Sequence, residues 1–152
     1  MLTYVATYEI SGLVVKTDKY YGNDLYSQIA PVDVSMVCGF LLKKENLEKI
    51  RFSRIIDRFL NYTISDGKWL ESVGGSEAVG SHISNNHLIP SNKKIEKLIK
   101  KIKQNEYVKI EGYLVNVEEK GGNFKINSSQ SRNDKRNGAC EVIYVTNVTW
   151  LK

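Results

Sequence analysis

Cysteine, proline and histidine are scarce in this chain of 152 residues, two of each, and each scarcity closes off a class of protein. Cys38 and Cys140 lie far apart with no CxxC spacing, which excludes a structural zinc knuckle and a thioredoxin-type motif. A disulfide between them would require an oxidising compartment. So little proline, alongside 41% hydrophobic and 26% charged residues, excludes a disordered or fibrous chain. No stretch approaches the ~18 apolar residues of a membrane-spanning helix, and the N-terminal part lacks the basic start and apolar run of a signal peptide. The expectation is a soluble chain, cytoplasmic by default, with no integral membrane segment. Export or membrane anchoring would need a further N-terminal segment. Gly74-Gly75 is not followed by GxxxxGK[ST], so it makes no phosphate loop.

The length suits one domain, residues 1–152, large enough to bury a core without staples. Net charge is +5, with an isoelectric point near 9.1, which favours anionic partners such as a small phosphate or carboxylate compound or a nucleic acid. A solvated lysine surface gives the same balance.

Taken in order, Met1–Thr17 reads as a first strand through the alternation around Tyr8, Ile10, Gly12 and Val14. Asp18–Ile29, rich in Gly, Asn, Asp and Tyr, reads as a long loop whose aromatic rings fold over the core or stay free for binding. Pro31 suits the first turn of a helix ended by Gly39, with Asp33 favouring its positive end. Lys43–Leu60 fits a helix or strands by periodicity. A short helix over Lys44–Lys49, then two strands ending at Asp66-Gly67, is the reading adopted. Trp69–Gly80 reads as a flexible connection. Asn92–Gln104 is the clearest helix, burying Ile95, Leu98, Ile99 and Ile102 under an outer face of lysines. Glu106–Glu118 reads as a long strand bent at Gly112, Gly121-Gly122 as a hairpin turn, and Cys140–Trp150 as the closing strand. The fold class expected is α+β: a twisted antiparallel, partly closed, OB-like β-barrel with one or two packed short helices.

Two polar stretches carry the candidate chemistry. Gly80–Pro90 (GSHISNNHLIP) holds both histidines among Ser81, Ser84, Asn85 and Asn86, and reads as a loop. His82 and His87 lie five apart, so neither a helix nor a strand puts them on one face. A loop that joined them to Cys140 would offer three zinc ligands, while hydrogen-bonded loop histidines are the simpler reading. Asn127–Gly138 (NSSQSRNDKRNG) gathers Ser128, Ser129, Ser131, Arg132, Lys135 and Arg136, a set of donors and positive charge suited to phosphate or carboxylate. Basic groups and tyrosines on a barrel also suit single-stranded nucleic acid.

The segments SHISNNHLIP, EGYLVNV and NSSQSRNDKRNGACEVIYV resemble those of a widespread bacterial family of uncharacterised proteins, whose pattern runs HSxNxHxIP, GYLV and SSLSRxDxGxGACE. The resemblance extends over PVDVSMVCG and FSRIIDRFLNY. It implies a shared polar site of His82, Asn85, His87, Ser128, Ser129, Arg132, Asp134, Gly138, Cys140 and Glu141, with Arg58 matching a family arginine. The chain departs from the pattern at Cys38, where tryptophan is usual, at Ile83 (a small hydroxyl), at Gln130 (leucine) and at Arg136 (glycine). The resemblance carries no activity and no cofactor.

The function expected is a binding module for an anionic ligand, whether nucleotide, nucleic acid or another phosphate or carboxylate, held by the His82/His87 loop and the Ser128–Arg136 loop. Asn85, Ser128, Ser129, Arg132, Asp134, Arg58 and Glu141 are its candidate ligand-binding residues. The alternative is a hydrolase or transpeptidase-like enzyme with Cys140 as nucleophile, His82 or His87 as base and Arg132 at the oxyanion.

Overall fold

One long strand with two different partners organises the chain. The computed structural model describes residues 1–54, 58–122, 124–127 and 140–152. Strand β1 spans Leu2–Lys19; its first part pairs with β6 (Tyr107–Glu118) and its last part with β2 (Val32–Val37). Beyond β2 lies β5 (Ile83–Pro90), then β8 (Cys140–Trp150), which returns to β6. The order β1–β2–β5–β8–β6, with β6 back against β1, closes five strands into a ring, the OB-like barrel. Strand β7 (Lys125–Ile126) extends the end of β6, its chain having turned at Gly121-Gly122.

Alternation along each strand divides inside from outside. Ile10, Val14, Val32, Val34, Met36, Leu88, Val108, Ile110, Leu114, Ile143 and Val145 fill the barrel. Helix α5 (Lys93–Lys100), shorter than the Asn92–Gln104 expected, packs on this core through Ile95, Leu98 and Ile99, with Ile102 buried just past its end, and Asn92 caps it by accepting from the Ile95 amide at 2.9 Å.

Two further layers cover parts of the outside. Short helices α2 (Lys44–Leu47), α3 (Gly67–Ser72) and α4 (Ser76–Gly80), with the hairpin of β3 (Ile50–Arg54) and β4 (Leu60–Ile64), enclose a second apolar cluster around Val37, Leu41, Val79 and Ile83. Helix α1 (Leu25–Ile29) and β7 cover a third, around Ile89, Val115, Val117 and Val142. Among the described residues no helix is long and apolar enough to cross a membrane.

The structure corrects four sequence-based expectations. Residues 32–37 form a fully buried strand, not a helix started by Pro31. The alternation of Val32, Val34 and Met36 with Asp33 and Ser35 is a period-2 signal that outranks a permissive proline. Residues 83–90 are likewise a strand, not a loop, because their polar side chains find partners on both faces. Trp69–Gly80 contains α3 and α4 rather than a flexible connection, with Asp66 accepting from the Trp69 amide at 3.0 Å to start α3. Finally, one neighbouring pair, β5–β8, runs parallel, because α5 and β6 intervene as a crossover.

Gly112 marks the bend expected of β6: the register with β8 shifts between Glu111 and Gly112. A Cβ there would stand 2.1 Å from the Tyr144 carbonyl oxygen, a backbone atom that no rotamer change can move aside, whereas one at Gly67 would meet nothing within 4 Å. Gly112→Ala is therefore expected to cost on the order of 1–3 kcal/mol in chemical denaturation, as overpacking does, and Gly67→Ala to stay within about 0.5 kcal/mol of the parent. Equal stabilities of the two variants would contradict this account of the bend.

Candidate functional site

Strands β2, β5 and β8 lie side by side, and the registers Asp33↔His87↔Val142 and Ser35↔Asn85↔Cys140 set two rows of side chains on the barrel's outer face. Four of these six side chains are polar and ionisable or hydrogen-bonding groups other than a cysteine, and all are buried. They are covered by Tyr20 at the end of β1, Tyr26 on α1, Arg54 at the end of β3, and Arg58.

Asp33, at 0% exposure, is the hub. Arg58 grips it with Nε donating to Oδ2 at 3.1 Å and Nη2 to Oδ1 at 2.7 Å. The Tyr20 hydroxyl donates to Oδ2 at 2.8 Å, and His87 Nδ1 lies 2.7 Å from Oδ1. Such a bidentate, charge-assisted arrangement is what a carboxylate needs to remain charged without water. Burial alone would raise the Asp33 pKa, but the hydrogen bonds and charges of His87 and Arg58 outweigh it and hold the carboxyl below its ordinary range.

Burial likewise disfavours the His87 cation, yet hydrogen bonds to Asp33 and Cys140 and their charges reverse the balance and push its pKa up to about 9. His87 is thus an imidazolium at neutral pH, its Nδ1 against Asp33 Oδ1. Tyr20 and Tyr26 are raised chiefly by burial, so both hydroxyls stay neutral.

Arg54 ties the second row to the first. It pairs with Asp18 through Nε, and donates from Nη1 to Asn85 Oδ1 at 2.7 Å and from Nη2 to Ser35 Oγ at 2.8 Å. Asn85 Nδ2 in turn donates to the Cys140 sulfur and to the Arg58 carbonyl, each at 3.2 Å. Arg58 has φ 67°, unusual for a long side chain, and is fixed there from both ends. Its carbonyl accepts from Arg54 and Asn85, and its guanidinium also donates to the Ala30 carbonyl at 2.5 Å. The guanidinium carbon sits 3.7 Å from the Tyr20 ring centroid and 4.0 Å from that of Tyr26. Among the described residues its Nη1 has no hydrogen-bond partner.

Of the residues singled out from sequence, the structure brings together His87, Asn85, Arg58 and Cys140. His82 stands elsewhere, at the start of β5, its Nδ1 2.7 Å from the Ala78 carbonyl oxygen and its ring edge-on to Phe40. Gly39, at φ 61°, makes room for that ring, since a Cβ there would lie 2.5 Å from it. Among the described residues no three His, Cys, Asp or Glu side chains form a metal-ligand set, so His82, His87 and Cys140 are not assembled for zinc. Glu141 alternates to the barrel-interior face, beside Asn86, and is buried there at 3% exposure. Ser128, Ser129, Ser131, Arg132, Asp134, Lys135, Arg136 and Gly138 lie outside the described residues. Sequence reasoning missed Asp33, Ser35, Arg54, Asp18 and Tyr20 as members of the site. The alternation in residues 32–37 was the available signal for the first two.

No protein-family model matches the chain, and no curated protein does. Among solved structures it is similar to a chain of a Plasmodium falciparum SSB complex with ssDNA, at 11% identity, over 99% of this chain and 97% of that one, with a TM-score of 0.39.

Removing the Asp33 charge leaves Arg58 and His87 facing each other without a counter-ion. Asp33→Asn should therefore cost about 3–5 kcal/mol of stability, the penalty of breaking a buried pair. The histidine adds a pH dependence. Its folded pKa lies above the unfolded 6.5, so its contribution is fully present below pH 6.5 and is lost as pH rises through about 9. The Asp33 contribution has the opposite sense: present above 3.8, lost as pH falls through its lowered value. Urea denaturation of the parent and of His87→Gln across this range should give a stability difference that is largest near pH 6.5 and shrinks toward pH 9. A difference independent of pH would mean that His87 is neutral in the folded protein.

Proposed function

We propose that the protein is a binding module for an anionic ligand, and that the ligand class is single-stranded nucleic acid. The observation that carries this reading is Arg58: a guanidinium held between two tyrosine rings on the outside of β2 and β5, whose buried Nη1 has no hydrogen-bond partner among the described residues. Such a group pairs with a phosphodiester oxygen, and the neighbouring rings stack on bases regardless of sequence.

The barrel supplies the setting. OB-like barrels take oligonucleotides across the face of the second and third strands, aided by the loops after the first and fourth. In this ring those strands are β2 and β5, and the two connections are the one from β1 to β2 and the one from β6 to β8. The first carries Tyr20, Tyr21 and Tyr26, of which Tyr21 is 77% exposed. The second carries Arg132, Lys135 and Arg136 with Ser128 and Ser129 in its sequence, and it leads directly into Cys140 beside Asn85. Net charge of +5 favours the encounter with a polyanion.

Fluorescence anisotropy with a labelled oligothymidylate tests the reading. Parent protein should bind, and affinity should fall with salt. Arg132→Ala should lose on the order of 1.5–3 kcal/mol, the value of hydrogen bonds to a charged group, and the defect should persist where the Debye length is about 3 Å. Tyr21→Ala should lose ~1–3 kcal/mol of base stacking. Lys100→Ala and Lys103→Ala on the helix side should change only what added salt also removes. Failure of the parent to bind the oligonucleotide at low salt would overturn the nucleic-acid reading.

A further inference from the structure

The β3–β4 hairpin decides which surface a polymer can reach. All six residues of β2 and seven of the eight in β5 are buried. Much of that cover is the hairpin itself: Phe52, Leu60, Tyr62 and Ile64 pack beside Val37 and Ile83, and Arg54 donates to Ser35 and Asn85. A strand laid across this side of the barrel therefore meets the solvent face of the hairpin. Alternation sets what it finds there. With the residues just named turned inward, the side chains left outside are Arg51, Ser53, Asn61, Thr63 and Ser65, all exposed. Arg51 stands opposite Thr63, and Ser53 opposite Asn61. Each of the five can donate a hydrogen bond, and none is a carboxylate or an aromatic ring.

At the base of the hairpin, where α2 leads into β3, a cleft of about 300 Å³ is lined by Glu48, Lys49, Ile50, Arg51, Thr63 and Ser65. It lies at the end of the hairpin away from Arg54 and Leu60, and all its lining residues are described. The carboxylates nearby are engaged: Asp66 holds Lys49 at 2.8 Å and accepts from the Trp69 amide at 3.0 Å, while Glu48 lies 3.9 Å from Lys44.

We infer that the outer face of this hairpin is a second contact surface for the nucleic-acid strand, and that it holds the phosphodiester backbone. Arg51 grips one phosphate in the cleft together with the Thr63 and Ser65 hydroxyls, and Ser53 and Asn61 meet the next. The assignment rests on the nucleic-acid reading above, and extends it from the tyrosines of the β1–β2 connection, where bases stack, to a track that touches backbone alone. The planar fork of Arg51 suits two phosphate oxygens at once. Alternate residues on one strand face recur every ~6.6 Å, a repeat that an extended strand can follow with successive phosphates. Without aromatic rings or base-edge readout, this contact carries no sequence preference.

Anisotropy titrations with oligothymidylates of about 5 and about 25 nucleotides, near the lower end of and beyond the ~4–16 nucleotides that one OB barrel covers, test the inference. Arg51→Ala should leave the short oligonucleotide unaffected and weaken the long one about tenfold. The slope of log K against log salt for the long one should fall by about 0.7, the value of one phosphate contact on a single strand. Arg51→Lys should keep the slope. Lys97→Ala makes the same charge change on α5 and should weaken neither length selectively. Inorganic phosphate should displace the long oligonucleotide no better than chloride at equal ionic strength; selective displacement would make the cleft a free-phosphate site and overturn the assignment to a strand. If the parent binds and Arg51→Ala behaves as Lys97→Ala does, the inference falls and the nucleic-acid reading stands. A parent that binds neither oligonucleotide overturns both.

Discussion

A single carboxylate, Asp33, joins the parts of this protein that would otherwise have little reason to stay together. It projects from the outer face of a barrel strand into a fully buried position, where an isolated carboxylate would be expelled or protonated. Four neighbours from four segments prevent that: Tyr20 from the end of β1, Arg58 after β3, His87 from β5 and, at 3.7 Å, Arg54 from β3 itself. Arg58 and His87 depend on Asp33 in return, because a buried guanidinium and imidazolium cannot sit side by side without a counter-charge, whereas Arg54 also pairs with Asp18. Removing Asp33 therefore strands both.

The consequence for the fold is that the hairpin of β3 and β4 is attached to the barrel by two different forces. At one end, Phe52, Leu60 and Tyr62 pack onto the apolar cluster around Val37 and Ile83, a contact that is insensitive to direction. At the other, Arg54 and Arg58 insert into the polar rows of β2, β5 and β8, and their hydrogen bonds to Ser35, Asn85 and Asp33 define one geometry. Apolar burial supplies most of the adhesion, and the polar network fixes where the hairpin sits. The left-handed conformation of Arg58 belongs to this second role: the strain is tolerated because both its carbonyl and its guanidinium are held.

The same network makes the outer face of β2 and β5 unlike a plain barrel surface. Its cationic groups are prearranged, so an anion placed there would meet donors already in position rather than lysines that must be ordered first. The exposed lysines of α5 are a different kind of charge. Lys93 and Lys100 flank Glu96 at 3.7 and 3.6 Å on the solvent side of the helix, where water and salt weaken them. Net charge alone does not distinguish these two kinds of positive group, although only the buried kind can impose orientation.

How much of this was legible in the sequence follows from how local each signal is. The stripe Ile95, Leu98, Ile99 and Ile102, the bend at Gly112, the closing strand from Cys140 and the helix-then-hairpin order within residues 44–64 were readable because period, glycine placement and capping act within a few residues. Residues 32–37 were misread since Pro31 allows a helix and the deciding fact, burial on both faces, depends on strands from elsewhere. Residues 83–90 carry polar groups on both faces, so their strand shows no alternation at all; it exists because Asp33, Ser35, Val34 and Cys140 stand opposite to satisfy them. The sequence by itself determined that His87, Asn85, Arg58 and Cys140 were worth suspecting. Only the tertiary structure separated His82 from His87, turned Glu141 inward and revealed Asp33 as the hub, since these outcomes depend on register between strands distant in sequence, and a shift of one residue reverses every face.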